Sequence, residues 1–297
     1  MENDSGQAEG EKVDFGPLLN LSIWTLSGAA TGFLGLRIWA KVQRGRCLWY
    51  DDHFLVAAWA ALIASCIVQS VSVQLGFGKE FGAIAPELVG TARLVSVIAG
   101  FLLILAACWS KTSFALTLLR ISQGWPRRWV IFVICTTNFF FVASGVIHWA
   151  QCWPLRLLWE QELKGECLPI QIVNGYNMFV AAYSGVMDIA LGLLPWFIFR
   201  TGGSLTQLDS EKSRLQRKEK IGISVAMSMA VFAGITSFLK IYAIIRVNMP
   251  NAQPEHVVGL MVLGTAEGAI TIMAVSIPVL RTLQGTLKAE VVGLQFR

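Results

Sequence analysis

Long apolar runs broken by short polar ones make up most of this chain. Seven runs are long enough to cross a bilayer, which takes roughly 20 mostly apolar residues at 1.5 Å rise each. They cover residues 17–40, 53–75, 88–119, 129–151, 170–199, 221–247 and 257–280. The runs are apolar on nearly every face. Barrel strands are short and alternate, so a β-barrel is excluded. The pattern predicts an all-α, polytopic membrane protein with seven transmembrane helices. Its domain plan is a disordered extracytoplasmic tail (1–16), a seven-helix membrane domain (17–281) and a short cytoplasmic tail (282–297).

Composition agrees with that class. Hydrophobic residues make up 55% of the chain and charged ones 14%, where soluble proteins carry roughly 25% charged. The charges give the orientation. With the N-terminus outside, sixteen Lys and Arg fall on the inner side, six on the outer side or near outer ends, and two within spans. This bias follows the positive-inside rule and predicts N-out, C-in. The net charge of +5 then belongs to loops beside anionic lipid, and no nucleic-acid partner is expected. The first 16 residues are polar and acidic, without the basic region of a cleavable signal peptide. The first span therefore serves as a signal-anchor. An outside tail makes Asn3-Asp4-Ser5 a glycosylation sequon at Asn3, whereas Asn20 lies too close to the membrane to be reached.

Cys66, Cys108 and Cys135 fall inside spans, where a free thiol behaves as a small hydrophobe. Cys47 lies in the first inner loop and is expected to stay reduced. Cys152 and Cys167 share the outer loop between spans four and five, where oxidising conditions favour a disulfide. Two unpaired thiols are the alternative. Trp149, Trp153 and Trp159 form one interfacial belt, and Trp39, Trp49, Trp125 and Trp129 the opposite one. Gly28/Gly32 and Gly264/Gly268 have the spacing that lets helix backbones approach closely; packing within the bundle is the expected explanation, with dimerisation the alternative. The basic run 212–220 (Lys212, Arg214, Arg217, Lys218, Lys220) leads into the sixth span and extends it into the cytoplasm. It serves either as topogenic charge on anionic lipid or as a docking surface for a cytoplasmic partner.

Charges at bilayer depth are costly and mark functional candidates. Lys111, Asp188, Glu267 and Lys240 lie within spans, and His148 lies near an outer end. Lys111 is expected to pair with Asp188 or Glu267, because an unpaired buried charge would neutralise instead. Asn174 and Asn177 add polar groups to the same interior. One reading is a buried polar network that fixes helix packing. The other is a pocket for a small apolar ligand or substrate, lined by Lys111, Asp188, Glu267 and Asn177. Lys240 is expected to snorkel to the cytoplasmic interface. The seventh span contains no lysine, so a retinal Schiff base of the light-driven kind is not expected. No metal site and no cofactor are expected. Asp51 and Asp52 read as a cap on the second helix, since carboxylates accept from its free N–H groups; a functional acidic pair is the alternative.

Several motifs then fall in order. They are Arg37-Ile38-Trp39-Ala40 with Tyr50-Asp51-Asp52, Gly76-Phe77-Gly78, Lys111-Thr112-Ser113 with Leu119-Arg120-Ile121, and Cys152-Trp153-Pro154 with Gly165-Glu166-Cys167. Asp188 with Leu194-Pro195, and Glu267 with Pro278-Val279-Leu280-Arg281, complete the series. Together they resemble the fungal rhodopsin-domain integral membrane proteins, which include receptor-like proteins tied to plant infection and members encoded in secondary-metabolite clusters. Lys79, Thr117-Leu118 and Ser184 depart from the family pattern. No cysteine-rich domain precedes the first span, and the tail is short. These features tip the expectation toward a membrane protein of a fungal secondary-metabolite pathway, either an accessory factor or an intramembrane enzyme acting on an apolar intermediate. As an enzyme it would use Asp188, Glu267 or Lys111 for acid–base chemistry. The alternative is a G-protein-coupled-receptor-like sensor of an apolar ligand. Either way the protein is expected in the plasma membrane or an endomembrane.

Overall fold

The computed structural model describes residues 14–43, 45, 49–78, 86–160, 163–202, 210–249 and 254–295. Seven long helices account for most of them: α1 (Gly16–Gln43), α2 (Tyr50–Gln74), α3 (Pro86–Ile121), α4 (Trp125–Ala150), α5 (Ile170–Gly202), α6 (Ser210–Val247) and α7 (Pro254–Gln295). A two-stranded hairpin, β1 (Cys152–Trp153) and β2 (Glu166–Cys167), connects α4 to α5. Six helices, α2 to α7, hold a segment long and apolar enough to cross a membrane. α1 has the length, at 28 residues, but Asn20, Ser22, Thr25, Ser27 and Thr31 dilute its apolar run. α2 satisfies several of these groups. Ser70 Oγ donates to Asn20 Oδ1 at 2.7 Å, Trp24 Nε1 donates to Ser70 Oγ at 3.0 Å, and Trp59 Nε1 donates to Thr31 Oγ1 at 2.9 Å. Such contacts join helices where water is scarce. The chain is thus an all-α, multi-pass membrane fold.

Local chemistry sets the helix ends. Pro86 and Pro254 open α3 and α7, and Pro126 lies in the first turn of α4. The first turn is where a missing N–H costs nothing. Gly124 precedes α4 with φ of +66°, as the Gln123-Gly124-Trp125-Pro126 turn requires. Gly78 closes the turn after α2 with φ of +94°, and a side chain there would meet the Gly16 nitrogen at 2.9 Å. α6 begins at Ser210, so the basic run 212–220 is helical. α7 continues to Gln295, past the expected span end at 280.

Each helix packs along the next, and α7 returns against α1, so the bundle closes into a ring. α3 also touches α5 and α7 and runs through the centre. The core gathers Leu55, Leu62, Leu103, Phe114, Leu118, Val130, Val133, Leu191, Ile272 and Val275. Outward faces are equally apolar: Phe132, Phe139, Val142 and Phe232 are exposed, as lipid contact demands. Gly264 and Gly268 face Leu103, Leu62 and Ala106 within the bundle, as expected. Gly28 and Gly32 correct the same expectation. They face open space with nothing within 4 Å, so intramolecular packing does not explain them. Cys66 and Cys108 are buried, but Cys135 points outward from α4 and is exposed. Cys152 and Cys167 are bonded across the hairpin, closing a loop with a sequence separation of 15. Asn3 and Cys47 lie outside the described residues.

Candidate functional site

Two charge clusters are buried in the bundle. The first ties α1 to α2. Arg37 Nη2 donates to Asp51 Oδ2 at 2.8 Å and its Nε donates to Asp52 Oδ1 at 3.0 Å. Lys41 pairs with Asp52 as well. Arg37 also donates to the Val275 carbonyl of α7, and Ser113 Oγ of α3 donates to the Asp51 carbonyl at 2.6 Å. Two cations balance two carboxylates. Asp52 does act at the helix start, accepting from the Trp49 N–H at 3.2 Å, but its main partners are Arg37 and Lys41. The cap reading was therefore incomplete. The spacing carried the missing signal, since a short loop between antiparallel helices folds residue 37 onto residues 51 and 52.

The second cluster joins α3, α5, α6 and α7. Lys111 pairs with Asp188 and also with Glu267 at 3.0 Å, so it takes both expected partners. Lys240 Nζ donates to Glu267 Oε2 at 2.8 Å, and Ser184 Oγ donates to Oε1 at 3.1 Å. Here too two cations meet two carboxylates. Lys240 does not snorkel. Its partner lies inside the bundle, and α6 carries it toward the end opposite the basic run. Sequence reasoning placed Lys240 in its span but missed this pairing, because no local pattern reports which way a helix face turns.

Above this cluster lies a cavity of about 340 Å³ between α3, α4, α5, α6 and α7. Its wall is mostly apolar, with Leu103, Ile104, Ala107, Phe141, Val180, Ala181, Ile244 and Met261. Glu267, Lys240 and Ser184 form its polar inner end, while Ile170, Asn174 and Asn248 lie at the helix ends beside the disulfide hairpin. Asn177 also lines it. Lys111 and Asp188 do not; they border a separate void of about 10 Å³ below. Of the four expected ligand residues, the structure thus puts Glu267 and Asn177 on the cavity and sets Lys111 and Asp188 behind them as supports. His148 contributes to the wall and donates from Nε2 to the Val97 carbonyl at 2.9 Å, joining α4 to α3. Among the described residues, no group of three His, Cys, Asp or Glu side chains is placed to hold a metal.

A deep cavity with an apolar wall and a few converging polar groups is the usual form of a small-molecule site. The sequence matches the fungal rhodopsin domain family over residues 36–286, which covers all seven helices at least in part. No curated protein matches the chain.

Proposed function

Because the chain belongs to the fungal rhodopsin domain family, we propose that it is a receptor-like membrane protein that holds a small, mainly apolar ligand in this cavity. The observation that carries the reading is the cavity itself. It is large enough for an organic molecule, extends to residues at one end of the bundle, and finishes inside on a charge cluster shared by four helices. A ligand there touches α3, α5, α6 and α7 at once. It would change signalling only if two helix arrangements bind it unequally. The proposed orientation is N-out, C-in, with the cavity mouth and the Cys152–Cys167 bond on the extracytoplasmic side. Support comes from the basic bias and from a disulfide suited to an oxidising compartment. The basic start of α6 then serves as the docking surface for a cytoplasmic partner. Ala181 lines the cavity, so Ala181→Phe fills it. Protein purified from native membranes should carry a small molecule, detectable by mass spectrometry, that folded Ala181→Phe lacks. Equal retention by both rejects the cavity as the site.

A second reading, a membrane protein of a secondary-metabolite pathway, is favoured by one feature. The Glu267 carboxylate and the Lys240 ammonium face the same cavity as an acid–base pair. Metabolite profiling of a deletion strain separates the two. One accumulating intermediate, converted by membranes carrying the unaltered protein but not Glu267→Gln, supports the pathway role. A joint fall of products and transcripts supports the sensor.

A further inference from the structure

Resting on that reading of the cavity, we infer that its ligand is a neutral apolar molecule with an oxygen acceptor, such as an ester or ketone carbonyl, that bonds to Lys240. An ammonium group carries three N–H donors and no acceptor. Lys240 gives one to Glu267 and makes no other hydrogen bond among the described residues. Its side chain is 25% exposed, against 2–4% for Lys111, Asp188 and Glu267. Lys240 lines the cavity, so its spare donors are available to a ligand in that space. The other polar wall groups are largely engaged. Ser184 donates to Glu267, Asn174 donates to Asn248, and His148 bonds to Val97. Asn177 and Ser144 are the exceptions, lining the cavity without a side-chain hydrogen bond among the described residues. Asn177 precedes Ser184 on α5 by two helical turns, roughly 10 Å. It therefore meets a second oxygen partway along the ligand.

Charge selects within oxygen-bearing ligands. Lys111 and Lys240 already balance Asp188 and Glu267. A carboxylate ligand would add an uncompensated charge at membrane depth, which is costly. A cation would meet Lys240 directly. A neutral acceptor satisfies the ammonium and leaves the balance intact.

The test uses the full chain in lipid nanodiscs and three probes of matched skeleton: methyl decanoate, decanoic acid in its ionised form, and decane. Affinity is read from the rise in unfolding midpoint with probe concentration. The ester should bind more tightly than either companion. The double variant Lys240→Met/Glu267→Gln keeps one cation against one carboxylate, and should weaken ester binding about tenfold, to the level of decane. Asn177→Ala, which removes no hydrogen bond among the described residues, should weaken it a few-fold and decides the matter if the double variant fails to fold. Unchanged ester binding in these variants, tighter binding of ionised decanoic acid, or no ester binding by the unaltered protein overturns the inference. Ala181→Phe separates the two levels. Loss of ester and decane binding in that variant upholds the cavity as the site whatever the Lys240 result, whereas undiminished binding rejects the cavity itself.

Discussion

Lys111→Met removes the cation of the second cluster that contacts both of its carboxylates. Asp188 loses its only ion-pair partner among the described residues, while Glu267 keeps Lys240 and Ser184. The cluster is left with two carboxylates against one cation. Asp188 is 3% exposed, so water does not replace the lost partner. Breaking a buried pair from one side costs about 3–5 kcal/mol, and one uncompensated charge at the centre of a membrane helix costs about 2.5–3.5 kcal/mol. The two routes meet near 3 kcal/mol. Lys111→Met/Asp188→Leu restores one cation against one carboxylate and should recover much of that loss, because removing both members of a buried pair is far milder than removing one. The assay is equilibrium unfolding in mixed micelles of the unaltered protein, both single variants and the double. The expected coupling between the sites is at least about 1.5 kcal/mol. Additive single-variant costs, or a Lys111→Met cost below about 0.5 kcal/mol, would refute the claim that this pair is buried and dry.

The first cluster should behave likewise. Arg37→Gln leaves Asp51 and Asp52 with Lys41 alone and should cost about 3 kcal/mol, measured by the same unfolding series; a neutral outcome would mean that water reaches the α1–α2 end. Reducing the Cys152–Cys167 bond should cost about 3 kcal/mol on the loop-entropy account. Thiol treatment should lower the unfolding midpoint of the unaltered protein but not of Cys152→Ser/Cys167→Ser, and equal shifts in both would count against it. A C-terminal reporter should read as cytoplasmic, and glycosidase should shift the unaltered protein but not Asn3→Gln. An extracellular C-terminus would reverse the proposed orientation.

The helices were legible because lipid imposes a one-dimensional rule: a spanning segment must be long and apolar, and six of the seven expected segments meet it, α1 being a long helix with a more polar sequence. The disulfide was legible for a similar reason, since two cysteines share one short loop. Pairing across the bundle was only half legible. Burial forces Lys111 to find a carboxylate, but choosing among Asp188, Glu267 or both depends on how four helices rotate about their axes. A uniformly apolar helix carries almost no amphipathic signal for that rotation. The same gap hid the inward turn of Lys240 and the outward turns of Gly28, Gly32 and Cys135. The cavity was legible only in part: Glu267 and Asn177 were expected on a pocket and line it, but most of its wall was not foreseen. It is a volume left between side chains on five helices, and no local run of sequence records it.

Buried charge alone therefore does not mark a functional site in this protein. The two clusters are alike in composition, each setting two cations against two carboxylates, and both reach α3 and α7. Ser113 and Lys111 lie two residues apart on α3, and the Val275 carbonyl follows Glu267 on α7 by about 12 Å of helix rise. What separates them is access. Arg37 is 1% exposed, spends three nitrogens on Asp51, Asp52 and Val275, and lines none of the cavities described above. All three of its nitrogens are engaged, and their partners tie α1, α2 and α7 together. Lys240 is 25% exposed, engages one of its three donors, and borders about 340 Å³ of largely apolar space. Spare hydrogen-bonding capacity beside a largely apolar cavity is what an acceptor on a ligand would engage, and this is why the proposed function is placed at the cluster beneath the cavity rather than at Arg37.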